Sequence, residues 1–474
     1  MYARSLEIVM PRQSPPSDPR RIAQDDAEPG DFGNPAGVLE RIGIPQRLFW
    51  GFVAVLIFMV GDGVETTYLS DYLQQPEGGG LPGATASFAT VTLYGVAAMI
   101  AAWFSGTLSA IWGPRRVMWL GGAWWIVFEA LFLFVAIPSH SATLIVAAYG
   151  VRGFAYPLFA FAFLVWAQVA SPASMRGSVA GWFWFAFTGG LPTLGAAVAA
   201  LAIGPLGMSL YDTLVLSMVL VSVGVLLGSF AVREKHGLQP IADSSVDNPR
   251  SLRRLGEGVG ILWRDRRTLA GGLVRIVNTA PQYGFFAMFP FVFGPAAAGG
   301  GFLSAAQIAS LASIAYGANI AANLFFGVFA DRFGWRRTVT WFGCVGCAIA
   351  TPVWYFGAVA AQNFAVTATF GVLYGVLLAG FVPLSALMPS MVARKDKGAA
   401  LAVLNLGAGG AAFVGPVVVT VLYPLVGGGG VAVTFSLMYF GVALLTLKMK
   451  DESDPGERKP ARSALPVTTV QTIL

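Results

Sequence analysis

Charge is scarce in this sequence. Asp, Glu, Lys and Arg make up 11% of its 474 residues, where a soluble globular domain carries roughly a quarter. So few charges cannot cover the surface of a water-soluble chain this long, which excludes a soluble multidomain enzyme. Histidine is scarcer still, with His140 and His236 the whole supply. They fall in loops expected on opposite sides of a membrane, so no histidine metal site or catalytic triad forms. The two cysteines, Cys344 and Cys347, have C-x-x-C spacing but lie inside the apolar run from Trp341 to Phe356. With no second pair and no nearby histidine they complete no metal or redox site, and they read as small buried helix residues. A glycine-rich phosphate-binding loop is missing too, which excludes ATP-driven work by this chain alone. No soluble sensory domain is present. No apolar core precedes residue 48, so no cleavable signal peptide is expected. Neither a cofactor nor a metal is expected, and the chain is not expected to be an enzyme.

Apolar sequence is what the chain has in quantity: 56% of residues are hydrophobic and the mean hydropathy is +0.67. A helix crosses a bilayer with ~20 predominantly apolar residues. Runs of that kind predict twelve helices, at about 48–70, 84–110, 117–137, 142–169, 177–203, 211–232, 268–293, 304–330, 338–360, 364–391, 398–425 and 429–447. The expected fold class is therefore an all-α membrane protein. Residues 1–44, rich in Pro, Ser, Asp and Arg and without periodicity, read as a disordered tail. A six-helix half covers 45–232, a hydrophilic linker 233–267, a second six-helix half 268–447, and a charged tail 448–474. Within the linker Leu252, Leu255, Val259 and Leu262 recur at helical spacing beside Arg253, Arg254 and Arg264. That pattern predicts a short amphipathic helix lying on the membrane surface.

The net charge of +6 raises nucleic acid as a partner, but the placement of the charge argues against it. Arg152 and Arg275 lie inside expected helices. Every other Lys and Arg falls in the two tails or in the loops after helices 2, 4, 6, 8 and 10, and the loops after the odd-numbered helices hold none. Cytoplasmic loops carry such an excess. Both termini and the even-numbered loops are therefore expected in the cytoplasm, which an even helix count satisfies.

Polar groups inside these helices are few and costly. Asp62 and Glu65, in Gly61-Asp62-Gly63-Val64-Glu65-Thr66 of helix 1, each oppose insertion by ~2.5–3.5 kcal/mol at a helix centre. Three residues apart, they share one helix face. Two readings stay open: they hydrate the outer mouth of the helix, or they carry protons or contact a polar solute in a central cavity. Asp62 is the stronger candidate for coupling to protons, with Glu65 as its partner. In helix 7, Arg275, Asn278, Thr279 and Gln282 form one face, about 100° wide, and helix 4 places Arg152 with Tyr156 beside Pro157, an expected kink. Helix 8 adds Tyr316, Asn319 and Asn323, helix 5 adds Trp182, and helix 2 adds Tyr94. Hydroxyl, amide and aromatic groups suit the hydroxyls and C–H edges of a polyhydroxylated solute. The candidate substrate-binding set is therefore Arg152, Tyr156, Trp182, Arg275, Asn278, Gln282, Asn319 and Asn323. Each has a structural alternative. The asparagines can bond neighbouring helices, and the two arginines can neutralise Asp62, Glu65 or Glu129. Three potential negative charges against two positive ones favour a neutral solute over an anion.

An internal repeat ties the halves together. Gly106-Thr107-Leu108-Ser109-Ala110-Ile111-Trp112-Gly113-Pro114-Arg115-Arg116 after helix 2 parallels Gly327-Val328-Phe329-Ala330-Asp331-Arg332-Phe333-Gly334-Trp335-Arg336-Arg337 after helix 8. Gly150-Val151 and Pro157-Leu158 of helix 4 recur as Gly375-Val376 and Pro383-Leu384 of helix 10. Two such halves are what parallel transporter repeats look like. The loop motif resembles the signature of the major facilitator superfamily. In that family its aspartate joins the arginines and a neighbouring helix end to hold the cytoplasmic side shut, which assigns gating to Asp331, Arg332, Arg336 and Arg337. The first copy carries Ala110 where the aspartate belongs, so no charge latch is expected there.

A narrower resemblance rests on Gly61-Asp62-Gly63-Val64-Glu65, Tyr149-Gly150-Val151-Arg152-Gly153-Phe154-Ala155-Tyr156-Pro157, Gly181-Trp182-Phe183-Trp184 and Val274-Arg275-Ile276-Val277-Asn278-Thr279, with Lys397-Gly398-Ala399-Ala400 and Asn405-Leu406. Together these are similar to the bacterial polyol permeases, the ribitol and D-arabinitol transporters. The resemblance implies the major facilitator fold, its halves related by a pseudo-two-fold axis, and a monomer in the bacterial inner membrane. It also implies uptake of a sugar alcohol by proton symport with alternating access. A facilitator without proton coupling, or an organic-acid:proton symporter, is the alternative.

Overall fold

The structure, a computed structural model, describes residues 38–82, 93–240, 260–294, 301–303, 305–393, 396–450 and 454. Numbering only the long helices, α1 is Gln46–Val64, α2 Tyr94–Trp112, α3 Pro114–Ala136, α4 Ala142–Ala170, α5 Arg176–Ile203 and α6 Leu210–Ala231. In the second half α7 is Arg266–Val292, α8 Ala305–Phe333, α9 Trp335–Ala361 and α10 Phe364–Ser390. The last helical stretch, Lys397–Thr446, is 50 residues long. Unbroken it would measure about 75 Å at 1.5 Å per residue, more than twice the ~30 Å hydrocarbon core. Gly427 breaks it with φ 63, giving α11 before that residue and α12 after it. Ten of these stretches, with α11 and α12 taken as one, are long and apolar enough to cross a membrane. α7 has the length without the apolarity, and the count of twelve rests on it and on the Gly427 break. The expected amphipathic helix of the linker falls mainly on 241–259, outside the described residues, as do residues 1–37 of the N-terminal tail.

Three expected helices, the first, fourth and tenth, are interrupted. Helix 1 stops at Val64 rather than near residue 70. Glu65–Thr67 turns as a 3₁₀ segment, and a separate short helix, Leu69–Gln74, follows. The Thr66 hydroxyl donates back to the Gly63 carbonyl at 2.7 Å, a side-chain bond that competes with the regular helix ladder. α4 breaks at Gly153 and Phe154, between Ala142–Arg152 and Ala155–Ala170. The Pro157 ring collides with the carbonyl four residues back, which is that of Gly153. α10 repeats the device: Pro383 lies four residues after Ala379, where a 3₁₀ turn Ala379–Phe381 divides the helix. Gly113 and Gly334, in the two copies of the loop motif, also adopt matching backbone angles, φ 90, ψ 137 and φ 110, ψ 135. The sequence repeat is thus a repeat of conformation.

Each half has its own apolar core. Phe58, Trp125, Phe159, Phe163, Trp166 and Phe183 are buried together in the first. In the second, Phe285, Phe289, Trp354, Tyr374, Phe435 and Tyr439 fill the space between α7, α9, α10 and α12. The halves meet along α2 with α11 and α5 with α8. The backbones of α5 and α8 approach so closely at Gly181 and Gly327 that a side chain on either would meet the other's main chain. These contacts lie toward the end of the bundle that carries Arg115, Arg116, Arg332, Arg336 and Arg337. Toward the opposite end, Gly95 of α2 and Gly317 of α8 have open space beside them. The structure is closed at its arginine-rich end.

That closure uses two different chemistries at equivalent places. Asp331 of α8 accepts hydrogen bonds from the backbone N–H groups of Gly177 and Ser178, at 2.9 and 2.8 Å, and from the Ser178 hydroxyl at 2.6 Å. Those N–H groups belong to the first turn of α5, where no helical acceptor exists and a negative charge meets the helix dipole. The Trp335 indole N–H also donates to Asp331, at 2.9 Å. In the other copy Ala110 of α2 faces the first turn of α11, packing against Gly398 with no polar bond.

Candidate functional site

The buried polar centre of the first half is built from α1, α2, α3 and α4. Gly61 and Gly63 allow it by bringing the backbone of α1 against α6 and α5. A side chain at Gly61 would meet Val221 and the Ser217 carbonyl, and one at Gly63 would meet the Leu191 carbonyl. Asp62 between them turns inward, 2% exposed. It accepts from the Trp125 indole N–H at 2.7 Å and from the Tyr94 hydroxyl at 3.0 Å. Glu65, brought round by the 3₁₀ turn, is paired with Arg152 and accepts from the Tyr149 hydroxyl at 3.1 Å. Glu129 of α3 pairs with the same guanidinium, and its Oε1 has no hydrogen-bond partner. The Arg152 guanidinium lies 4.3 Å from the Tyr149 ring centroid and 4.7 Å from that of Trp125. Glu65, Glu129 and Arg152 are all fully buried. Three carboxylates thus gather about one cation in a site shut off from water, where charge imbalance is expensive.

Arg275 of α7 has the opposite environment. It is 3% exposed, yet among the described residues no carboxylate reaches it. Its polar contact is with Thr279 Oγ1 at 2.9 Å, and its Nε is unpartnered. The guanidinium lies 4.0 Å from the Phe381 centroid and 4.7 Å from that of Trp184, so it sits at the junction of the two halves. Of the ion pairs open to the two arginines, the structure forms those at Arg152 and, among the described residues, none at Arg275. Helix periodicity could not settle this, because it assigns faces within a helix and not the partner across the gap.

The other candidates divide by place. Tyr156 adjoins the acidic centre through Tyr94, with ring centroids 6.1 Å apart, and also faces Phe187 at 6.0 Å. Gln282 lies beside the Tyr316 hydroxyl. Asn323 reaches Thr188 Oγ1 across the halves at 3.4 Å. Asn278 and Asn319 spend their amide N–H groups on the Gly343 and Gly375 carbonyls, at 2.6 and 3.1 Å. That is the interhelical bonding open to buried asparagines, and Asn278 Oδ1 remains unpartnered. The structure does not bring Trp182 to either arginine. Its indole N–H donates to the Ile42 carbonyl at 2.8 Å, and it lines an outer cleft with Arg332. Trp184, two residues on and so about 200° around the helix, takes the inward position against Arg275. Of the motif arginines, Arg332 and Arg337 are exposed, while the Arg336 backbone N–H donates to Asp454 at 2.8 Å. Sequence reasoning missed Trp125 and Trp184. Trp125 could have been found from its position four residues before Glu129, on the same helix face.

Comparison with known proteins agrees with this architecture. Residues 271–473 match the family profile described as Major Facilitator Superfamily. The chain is 37% identical over 410 residues to an α-ketoglutarate permease of Bacillus subtilis (strain 168), covering 86% of this chain and 90% of that one. It is 33% identical over 402 residues to a ribitol transporter of Klebsiella pneumoniae, covering 84% and 90%. Among solved structures, the proton:xylose symporter XylE superposes with a TM-score of 0.64 at 14% identity, over 86% of this chain and 96% of that one.

Proposed function

Since the chain belongs to the major facilitator superfamily of membrane transporters, we propose that it imports a five- or six-carbon sugar alcohol together with protons. The observation that carries this reading is the cluster of Asp62, Glu65 and Glu129 around Arg152. One guanidinium offsets one of three carboxylates, so the surplus negative charge is relieved when a proton arrives. Asp62 suits the proton best, because its partners are the neutral Trp125 and Tyr94 rather than the cation itself. Its bond from Tyr94 also ties it to Tyr156, a candidate solute contact. The Lys and Arg distribution supports a cytoplasmic position for the arginine-rich end, and the bacterial relatives support the plasma membrane of a bacterium. The arrangement described above is then the outward-open state, with the Asp331 bonds to α5 holding the inner side shut. The family resemblance and the ribitol-transporting relative support the sugar alcohol, as do the uncharged groups of Gln282, Tyr316 and Asn323.

One observation favours a second reading, an organic acid. Among the described residues Arg275 is a buried cation without a carboxylate, and a guanidinium pairs with a carboxylate in bidentate fashion. The relative named for α-ketoglutarate points the same way. Uptake into proteoliposomes with an imposed inward proton gradient separates the two. Sugar-alcohol uptake should rise several-fold with the gradient and be competed by ribitol or D-arabinitol. Uptake that α-ketoglutarate alone competes, and that Arg275→Gln abolishes, would establish the organic acid instead. Solute entry indifferent to the gradient would leave a facilitator.

A further inference from the structure

A cleft of about 530 Å³ opens on the outside of the bundle, at its arginine-rich end. Trp182 of α5 and Phe325, Val328 and Phe329 of α8 line it, with Arg41 and Arg332 alongside. Phe325 and Val328 are 59% and 41% exposed, on a helix that crosses the membrane, so this wall is wetted by acyl chains. Arg332 sits in the last turn of α8, one to two turns beyond them, which at 1.5 Å per residue is about 6–10 Å and reaches headgroup depth. Arg41 comes from the short helix Val38–Arg41, tied to α5 by the bond from Trp182 to the Ile42 carbonyl. Among the described residues neither arginine forms an ion pair, although both are exposed and fully able to.

We infer that an anionic phospholipid occupies this cleft, its phosphate between Arg41 and Arg332 and an acyl chain along Phe325 and Val328. Two guanidinium groups above an apolar wall match a phosphodiester above a hydrocarbon chain in charge and in order of depth. A zwitterionic lipid matches less well, because it brings an ammonium into a place that already holds two guanidinium cations. Arg41 lies on the segment that precedes the first half and is tied to it through Trp182, and Arg332 belongs to the second half. A lipid bound to both therefore clasps the halves at the joint where Asp331 caps α5, and it favours closure of that end.

Native mass spectrometry of the full-length protein tests this, with phosphatidylglycerol and phosphatidylcholine offered at equal concentration. The wild type should retain phosphatidylglycerol about thirtyfold better, the scale expected for two basic residues at a lipid surface. Arg41→Gln with Arg332→Gln should remove the preference, and the corresponding double Lys variant should keep much of it. Equal retention of the two lipids by the wild type, or an unchanged preference in the double Gln variant, would overturn the assignment. So would a preference that emerges only after residues 1–37 are removed, because the cleft would then belong to the chain's own N-terminal segment.

Discussion

At the scale of single residues, Arg152 governs the charge of the first half. It is the common partner of Glu65 and Glu129, and all three are out of water. Removing one member of a buried pair strands the others, at about 3–5 kcal/mol. Arg152→Ala should therefore lower the thermal unfolding midpoint of the purified protein markedly. Adding Glu129→Gln should recover part of the loss, since one stranded charge disappears. A midpoint unmoved by Arg152→Ala would mean that the acids are not charged against it. Asp62 carries a different expectation. Asn at this position keeps an acceptor for Trp125 and Tyr94 but cannot bind and release a proton. Asp62→Asn should retain solute exchange across the membrane while losing accumulation driven by a pH gradient. If accumulation persists, the proton site is elsewhere, with Glu129 next in line because its Oε1 is unpartnered.

At the scale of helices, the joint between α5 and α8 is the part most open to test. Asp331 offers four acceptor contacts at the start of α5 and to Trp335, and a helix cap of this kind contributes ~1 kcal/mol. The equivalent joint at α2 and α11 has only Ala110 against Gly398, so the two joints do not contribute alike. Asp331→Ala should slow transport several-fold with little change in solute affinity, because the balance between states shifts while the solute contacts remain. Paired measurements of turnover and equilibrium binding check this. Loss of affinity equal to the loss of turnover would place Asp331 in the binding site instead. The breaks in α4 and α10 show how much of an element is written locally: in each, a proline accounts for the interruption four residues before it. The end of α1 at Val64 was not legible in this way, because the apolar pattern runs on past Glu65 toward Ser70.

At the scale of the whole molecule, the arginine distribution makes the sharpest claim. If the arginine-rich end faces the cytoplasm, Ser139→Cys should react in intact cells with an impermeant thiol reagent and Ser244→Cys should not. The buried Cys344 and Cys347 supply little background. Equal labelling at both positions would contradict the assigned orientation. With that orientation, the end closed by the Asp331 bonds to α5 is the inner one.

The sequence by itself determined the class of fold, the two halves and the inventory of costly polar groups. These follow from local physics: apolar length set by bilayer thickness, proline geometry, and charge that stays where water is. It did not determine how those groups pair. Asp62 lies on α1, Glu65 on the turn after it, Glu129 on α3 and Arg152 on α4, and only the packing of these elements brings three acids to one arginine while leaving Arg275, among the described residues, with none. Likewise the sequence marks Asp331 as special, but its bonds to Gly177 and Ser178 exist only because α5 and α8 from different halves touch. Periodicity fixes which face of a helix a residue occupies. What that face meets is a long-range contact, and tertiary structure alone decides it.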